Sequence, residues 1–182
     1  MGSGRRHQQE PDESGRDLGV PADPESVART IVLTKLTSQS RSRHELAEAL
    51  AAKAVPAEVS AAVLDRFEEV GLVNDSAFAD AWIQSRHASR GLSRRALRQE
   101  LRRKGVDDEV IAESLEGLDP DDEVAAARRL IDRKLSATRG LEPSVRFRRL
   151  KGLLARKGYP GGLVVQVVRQ ALADDAAASD AT

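Results

Sequence analysis

The stretch from Asn74 to Val106, NDSAFADAWIQSRHASRGLSRRALRQELRRKGV, decides the fold. Phe78 and Trp82 stand one turn apart, which predicts an amphipathic helix with Asp75 as its cap. Gly91 interrupts it. Ser93 is placed to cap a second, short helix with Leu97 and Leu101 on one face, and Gly105 sits where a helix end takes glycine. At about 100° per residue, Arg95, Arg98 and Arg102 fall together on the face opposite those leucines. Asp107 then caps a third helix carrying Val110, Ile111, Ser114 and Leu115.

The same unit is written before and after. Adding 51 to Leu46, Leu50, Lys53 and Val59 gives Leu97, Leu101, Lys104 and Val110, and a further 53 gives Leu150, Leu154, Lys157 and Leu163. Self-similarity at a fixed period marks stacked helical modules, here expected to share cores with their neighbours. In the first unit, Asp23-Pro24 starts a helix with Val27, Ile31 and Leu33 as apolar positions. Ser42 and Glu45 form a capping-box pattern, and Pro56 leads a helix with Val59, Val63 and Phe67. In the last unit, Asp119-Pro120 starts a helix with Ala127, Leu130 and Ile131. Phe147, Leu150 and Leu154 mark the next helix, and Pro160 leads the final one through Val164, Val168 and Leu172. The expected fold is all-α: three tandem three-helix, helix-turn-helix-like repeats over 23–73, 74–118 and 119–172, elongated and curved. Flanking them are expected disordered tails at 1–22 and, small and acidic, at 173–182.

Composition narrows the functions. Aromatic residues make up 3% of 182, and there is no cysteine, so disulfides and thiolate metal sites are excluded. No apolar run approaches the roughly 20 residues that span a bilayer, and the first residues lack an apolar signal core, so a soluble, cytoplasmic protein is expected. Net charge is zero, with 29 basic and 29 acidic residues, but the charges are segregated. Arg86 to Lys104 holds eight bases and one acid, Asp107 to Glu123 nine acids and no base, and Arg128 to Lys157 eleven bases and two acids. A neutral chain with two basic blocks can bind an anionic polymer.

Comparing the repeats separates scaffold from function. All three second helices keep the leucines. The outer positions hold Arg95, Arg98 and Arg102 in the second unit, Arg148, Lys151 and Ala155 in the third, and His44, Ala47 and Ala51 in the first. Folding therefore does not demand the basic stripe. Taken with Arg86, Arg90, Arg94 and Arg103 on one side, and Arg146, Arg149, Arg156 and Lys157 on the other, it points to a polyanion or an acidic protein surface. A single arginine here would be read as a solvated helix former. Phosphate contacts of this kind are salt-sensitive and largely blind to sequence. Trp82, one turn from Phe78, reads as core rather than as a base-stacking platform. His7, His44 and His87 have no metal-ligand spacing, and no phosphate-cradling glycine motif occurs. The acids Asp119, Asp121, Asp122 and Glu123 suit a positive helix start better than a hard-cation site. The reading is of a non-enzyme without cofactor, metal or small-molecule substrate.

Several motifs bring a family into view. Asn74-Asp75-x-x-Phe78-Ala79, then Arg86, Gly91 and the Leu-Arg-Arg-Lys-Gly-Val run from Leu101 to Val106, which includes Lys104, resemble the RecX family of bacterial recombination regulators. Ser40 to Leu46 and Arg146 to Gly158 match that family's first and third repeats, so the resemblance extends from about Val27 to Leu172. Ala54 replaces the usual glycine after Lys53, implying a looser helix end. Gln39 stands where a basic residue is common, and the N-terminal tail has no counterpart. The resemblance implies tandem three-helix repeats that bind the RecA recombinase. Family members lodge in the groove of RecA–DNA filaments and inhibit ATP hydrolysis, strand exchange and co-protease activity, which modulates DNA repair and the SOS response. Its implied partners are RecA, its nucleoprotein filament, single-stranded DNA and, by extension, double-stranded DNA. A sequence-tolerant DNA-binding helical protein is the alternative, and a metal-dependent nuclease ranks last.

Overall fold

A computed structural model describes residues 23–180. Among these are nine α-helices and one 3-10 turn, and no strand. They are α1 (Pro24–Ser38), α2 (Arg43–Ala51), α3 (Ala57–Glu69), α4 (Asp75–Arg90), α5 (Arg94–Arg103), α6 (Asp108–Glu116), α7 (Pro120–Leu135), α8 (Pro143–Arg156) and α9 (Gly161–Asp180). The 3-10 turn, Ser136–Thr138, occupies the longer link between α7 and α8.

Local chemistry sets the helix starts. Ser42 Oγ accepts from the Glu45 amide at 3.2 Å, and the Glu45 carboxylate accepts from the Ser42 amide at 3.2 Å, completing the capping box. Ser93, Asp107 and Asp119 cap α5, α6 and α7 through their side chains. At α4 the cap is Asn74 rather than Asp75: Asn74 is extended and accepts from the Ala77 amide at 2.9 Å. Either residue suits the position. Asp75 is instead drawn to the first unit, where it accepts from the Arg43 amide at 2.8 Å.

Each unit has its own core, which corrects the expectation of shared ones. Leu46, Leu50, Val63, Leu64 and Phe67 pack in the first unit, Leu97, Leu101, Ile111 and Leu115 in the second, and Ile131, Leu150, Leu154, Val164 and Val168 in the third. The six equivalent leucines are at most 1% exposed, and each contributes about 1.5–3 kcal/mol by burial. In α1 the buried stripe is Ala28 and Val32, one turn apart, while Leu33 is 48% exposed. Leu33 is rotated about 100° from Val32, away from α2 and α3.

The helix ends repeat too. Ala54, Gly105 and Gly158 all have positive φ, at 57°, 71° and 86°, and the next residue's amide reaches back to Leu50, Leu101 or Leu154. Ala54 thus adopts the same left-handed closure as the two glycines. Ala54 carries its Cβ at this closure, whereas Gly105 and Gly158 lie against the preceding unit. A Cβ on Gly105 would fall 2.2 Å from His44 Cγ, and one on Gly158 would fall 2.8 Å from Ala96 Cβ.

Those contacts belong to two matched joints. At the first, Ser42 Oγ donates to the Lys104 carbonyl at 2.5 Å, and Asp75 holds the Arg43 amide. At the second, the Ser93 amide donates to the Lys157 carbonyl at 3.1 Å, and Glu123 accepts from the Arg94 amide at 3.0 Å. Buried Tyr159 adds a hydrogen bond from its hydroxyl to the Gly91 carbonyl at 3.1 Å, and burial pushes its phenol up to about 12. Neighbouring units are therefore joined by backbone-directed hydrogen bonds.

The last helix corrects another expectation. From residue 173 an acidic, disordered tail was expected, yet α9 runs through Asp180. Alanine supplies helix propensity. The acids are held: Asp174 accepts from Arg128 at 2.6 Å, and buried Asp175 pairs with Arg139 and Arg146. The expected tail at 1–22 lies outside the described residues, as do the last two positions of the C-terminal one.

A candidate binding surface on the second and third units

The fourteen basic residues singled out by sequence divide into three groups. Four belong to the scaffold. Arg86 lies 4.1 Å over the Trp82 ring, with its Nε 3.9 Å from Glu100. Trp82 is half-buried, stacks on Phe78 at 5.8 Å and donates from Nε1 to Glu100 at 2.9 Å, so it packs rather than offering a free face. Lys104 also packs on this cluster, 4.1 Å from the Trp82 ring centre, and donates to Glu45 at 2.7 Å across the first joint. That bond holds the Glu45 carboxyl below its usual range against the opposing effect of burial. Arg94 donates to the Leu115 carbonyl at 2.7 Å, satisfying the end of α6. Arg146 donates to Thr138 Oγ1 at 3.0 Å and pairs with Asp175. The paired guanidiniums of Arg139 and Arg146 lower the Asp175 carboxyl to about 2.

A second group faces solvent. α5 turns Leu97 and Leu101 inward and so projects Arg95, Arg98, Arg102 and Arg103 outward. Of these, Arg102 forms a two-point pair with Asp108, at 2.6 and 3.1 Å, which raises the guanidinium and lowers the carboxyl. Such an exposed pair is worth little to stability, but it leaves Arg102 less available than its neighbours. Arg95, Arg98 and Arg103 have no hydrogen bond or ion pair among the described residues. In α8 the same holds for Arg148, Arg149, Lys151 and Arg156, all exposed.

Arg90 and half-buried Lys157 lie elsewhere, in a hollow between the second and third units. It has a volume of about 540 Å³ and is also lined by Ser89, Leu130, Arg133, Lys134 and Leu153. Arg133 and Lys134 were not singled out by sequence, although the excess of bases between Arg128 and Lys157 contained them. They belong to α7, whose spacing reads only as core, and folding alone brings them beside α8. A larger cavity has the opposite character: about 660 Å³, lined by Asp80, Glu113 and Asp122 with Ile83 and Leu118. An anionic partner is repelled there and attracted to the basic faces. Asp119 and Glu123, weighed above as metal ligands, each accept from a backbone amide instead. Among the described residues no helix is long and apolar enough to cross a membrane.

Comparison with known proteins agrees with this organisation. The chain matches the family models for the first, second and third three-helix domains of RecX over residues 28–67, 74–115 and 121–168. It is 54% identical over 155 residues to the regulatory protein RecX of Streptomyces coelicolor, covering 85% of this chain and 82% of that one. To the regulatory protein RecX of Thermobifida fusca it is 51% identical over 163 residues, 87% of this chain and 88% of the other. The crystal structure of RecX from Lactobacillus salivarius superposes with a TM-score of 0.75, over 83% of this chain and 98% of that one. At 17% identity this likeness concerns the fold alone. With three domain matches in order and relatives above half identity along most of its length, the chain belongs to the RecX family of regulatory proteins.

Proposed function

We propose that the chain is a non-enzymatic modulator that binds RecA and RecA–DNA filaments in the cytoplasm. It does so through the exposed basic residues of the second and third units, and it inhibits RecA ATP hydrolysis, strand exchange and co-protease activity. Homologous recombination, DNA repair and the SOS response would be damped in consequence. One observation carries the reading. Arg95, Arg98, Arg103, Arg148, Arg149 and Lys151 project outward with no hydrogen bond or salt bridge to a carboxylate among the described residues, Arg98 and Arg148 feeling only the nearby charges of Asp108 and Glu142, while Arg86, Arg94, Lys104 and Arg146 are held in the scaffold. Six exposed cations outside any salt bridge suit a nucleoprotein surface of phosphate and acidic side chains.

The test is RecA ATPase on single-stranded DNA with stoichiometric added protein. Inhibition is expected, and Arg95→Glu with Arg98→Glu should weaken it far more than changes at His44 and Ala47. Absence of both inhibition and filament binding refutes the proposal. The second reading, a sequence-tolerant DNA-binding protein, is favoured by the basic hollow between units. It predicts binding to bare DNA with no requirement for RecA.

A further inference from the structure

We infer that the cleft between the second and third units seats the sugar–phosphate backbone of a single nucleic-acid strand, leaving the α5 arginines for protein contact. The inference rests on the proposed function for its partner and divides that function's surface in two.

The hollow of about 540 Å³ lies beside a second of about 240 Å³, and the two share Lys134 and Leu153 as lining residues. Three helices and one helix end supply the cations. Arg90 comes from the last turn of α4, Arg133 and Lys134 from α7, and Arg149, Arg156 and Lys157 from α8 and its C-cap. Neither hollow is lined by a carboxylate, so six positive charges act on these two adjoining hollows. Among the described residues, the one hydrogen bond made by these side chains runs from Arg133 Nε to its own helix, at the Arg129 carbonyl, 3.2 Å away, and its terminal nitrogens make none. Leu130 and Leu153 form an apolar floor, and low-dielectric walls strengthen the field inside a cleft.

The shape favours a flexible chain of charges over a folded acidic surface. A strand presents one phosphate per nucleotide and can follow recessed cations from one hollow to the next, whereas a folded protein must bring its bulk along with each carboxylate. No aromatic residue lines either hollow, so phosphate contacts dominate over base stacking and binding is indifferent to sequence. Arg95, Arg98 and Arg103 line neither hollow.

The experiment is fluorescence anisotropy of a short labelled oligothymidylate, titrated with full-length protein in the absence of RecA. Arg133→Glu with Lys134→Glu should lower affinity at least about tenfold and reduce the salt slope by about 0.7 for each phosphate no longer neutralised. Arg133→Gln with Lys134→Gln should fall between this variant and the parent, while Arg95→Glu with Arg98→Glu should leave oligonucleotide binding nearly unchanged. Circular dichroism confirms that each variant is folded, and the glutamine pair keeps the test open if the glutamate pair is not. Parent-like binding by the cleft variants overturns the inference. So does competition by polyglutamate or by a duplex as effective as that by the oligonucleotide. Capture on immobilised RecA without DNA separates the two proposals. Loss of oligonucleotide binding with RecA capture intact supports the cleft assignment. A parent protein that binds the oligonucleotide through the cleft but neither captures RecA nor inhibits it refutes the proposed function alone.

Discussion

Gly158→Ala probes the joint between the second and third units. Gly158 has φ of 86°, and a Cβ there would lie 2.7 Å from Ser93 Oγ, 2.8 Å from Ala96 Cβ and 3.2 Å from the Ala96 amide nitrogen. The left-handed conformation alone costs an alanine about 1–2 kcal/mol. Crowding against Ala96 adds about 1–3 kcal/mol, because its Cβ and amide belong to the first turn of α5 and cannot rotate away. The Ser93 amide, bonded to the Lys157 carbonyl at 3.1 Å, is displaced with the joint and forfeits about 1 kcal/mol more. Ser93 Oγ also caps α5 through the Ala96 amide, so the new methyl presses on that cap. The total is about 3–6 kcal/mol. Gly71→Ala is the control: its φ of 73° is similar, but nothing lies within 4 Å, so it carries only the backbone strain. Urea unfolding of both variants gives the difference, and amide exchange at Ser93 reports the joint directly. Equal costs for the two substitutions, or an unchanged Ser93 amide in Gly158→Ala, would refute the reasoning.

Lys104→Ala removes the ammonium that covers Trp82 and crosses to Glu45. It should cost about 1–2 kcal/mol, given the shielded position of that cation, and should shift the emission of the only tryptophan; an unchanged urea midpoint by tryptophan fluorescence counts against it. Asp175 has a carboxyl near 2 when folded and about 3.9 when unfolded, so its contribution is complete above the unfolded value and is lost as pH falls from about 4 toward 2. Asp175→Asn should flatten that acid dependence in urea midpoints measured across this range, and identical slopes for variant and parent would disprove the pairing.

What the sequence settled by itself is what short-range physics controls. The spacings of 51 and 53 between leucine pairs, the capping box at Ser42 and Glu45, and the closures at Gly105 and Gly158 each depend on residues within a turn or two. All appear as read. Family membership was legible for the same reason, since those local motifs stand in order along the chain. The tertiary structure decided which charges are available. A helical wheel places Arg94 and Arg95 alike on a polar side, yet Arg94 closes α6 while Arg95 remains exposed. Lys104 meets Glu45 from 59 residues away, and Arg146 meets Asp175 from 29 away. Likewise, α9 outlasts the point where its composition turns acidic, because Arg128, Arg139 and Arg146 receive its carboxylates. The basic cleft exists only once α4, α7 and α8 converge. Periodicity fixes which face of a helix is buried. The partner a charge finds on the other face depends on how whole units dock, and that is written in contacts between residues far apart in the chain.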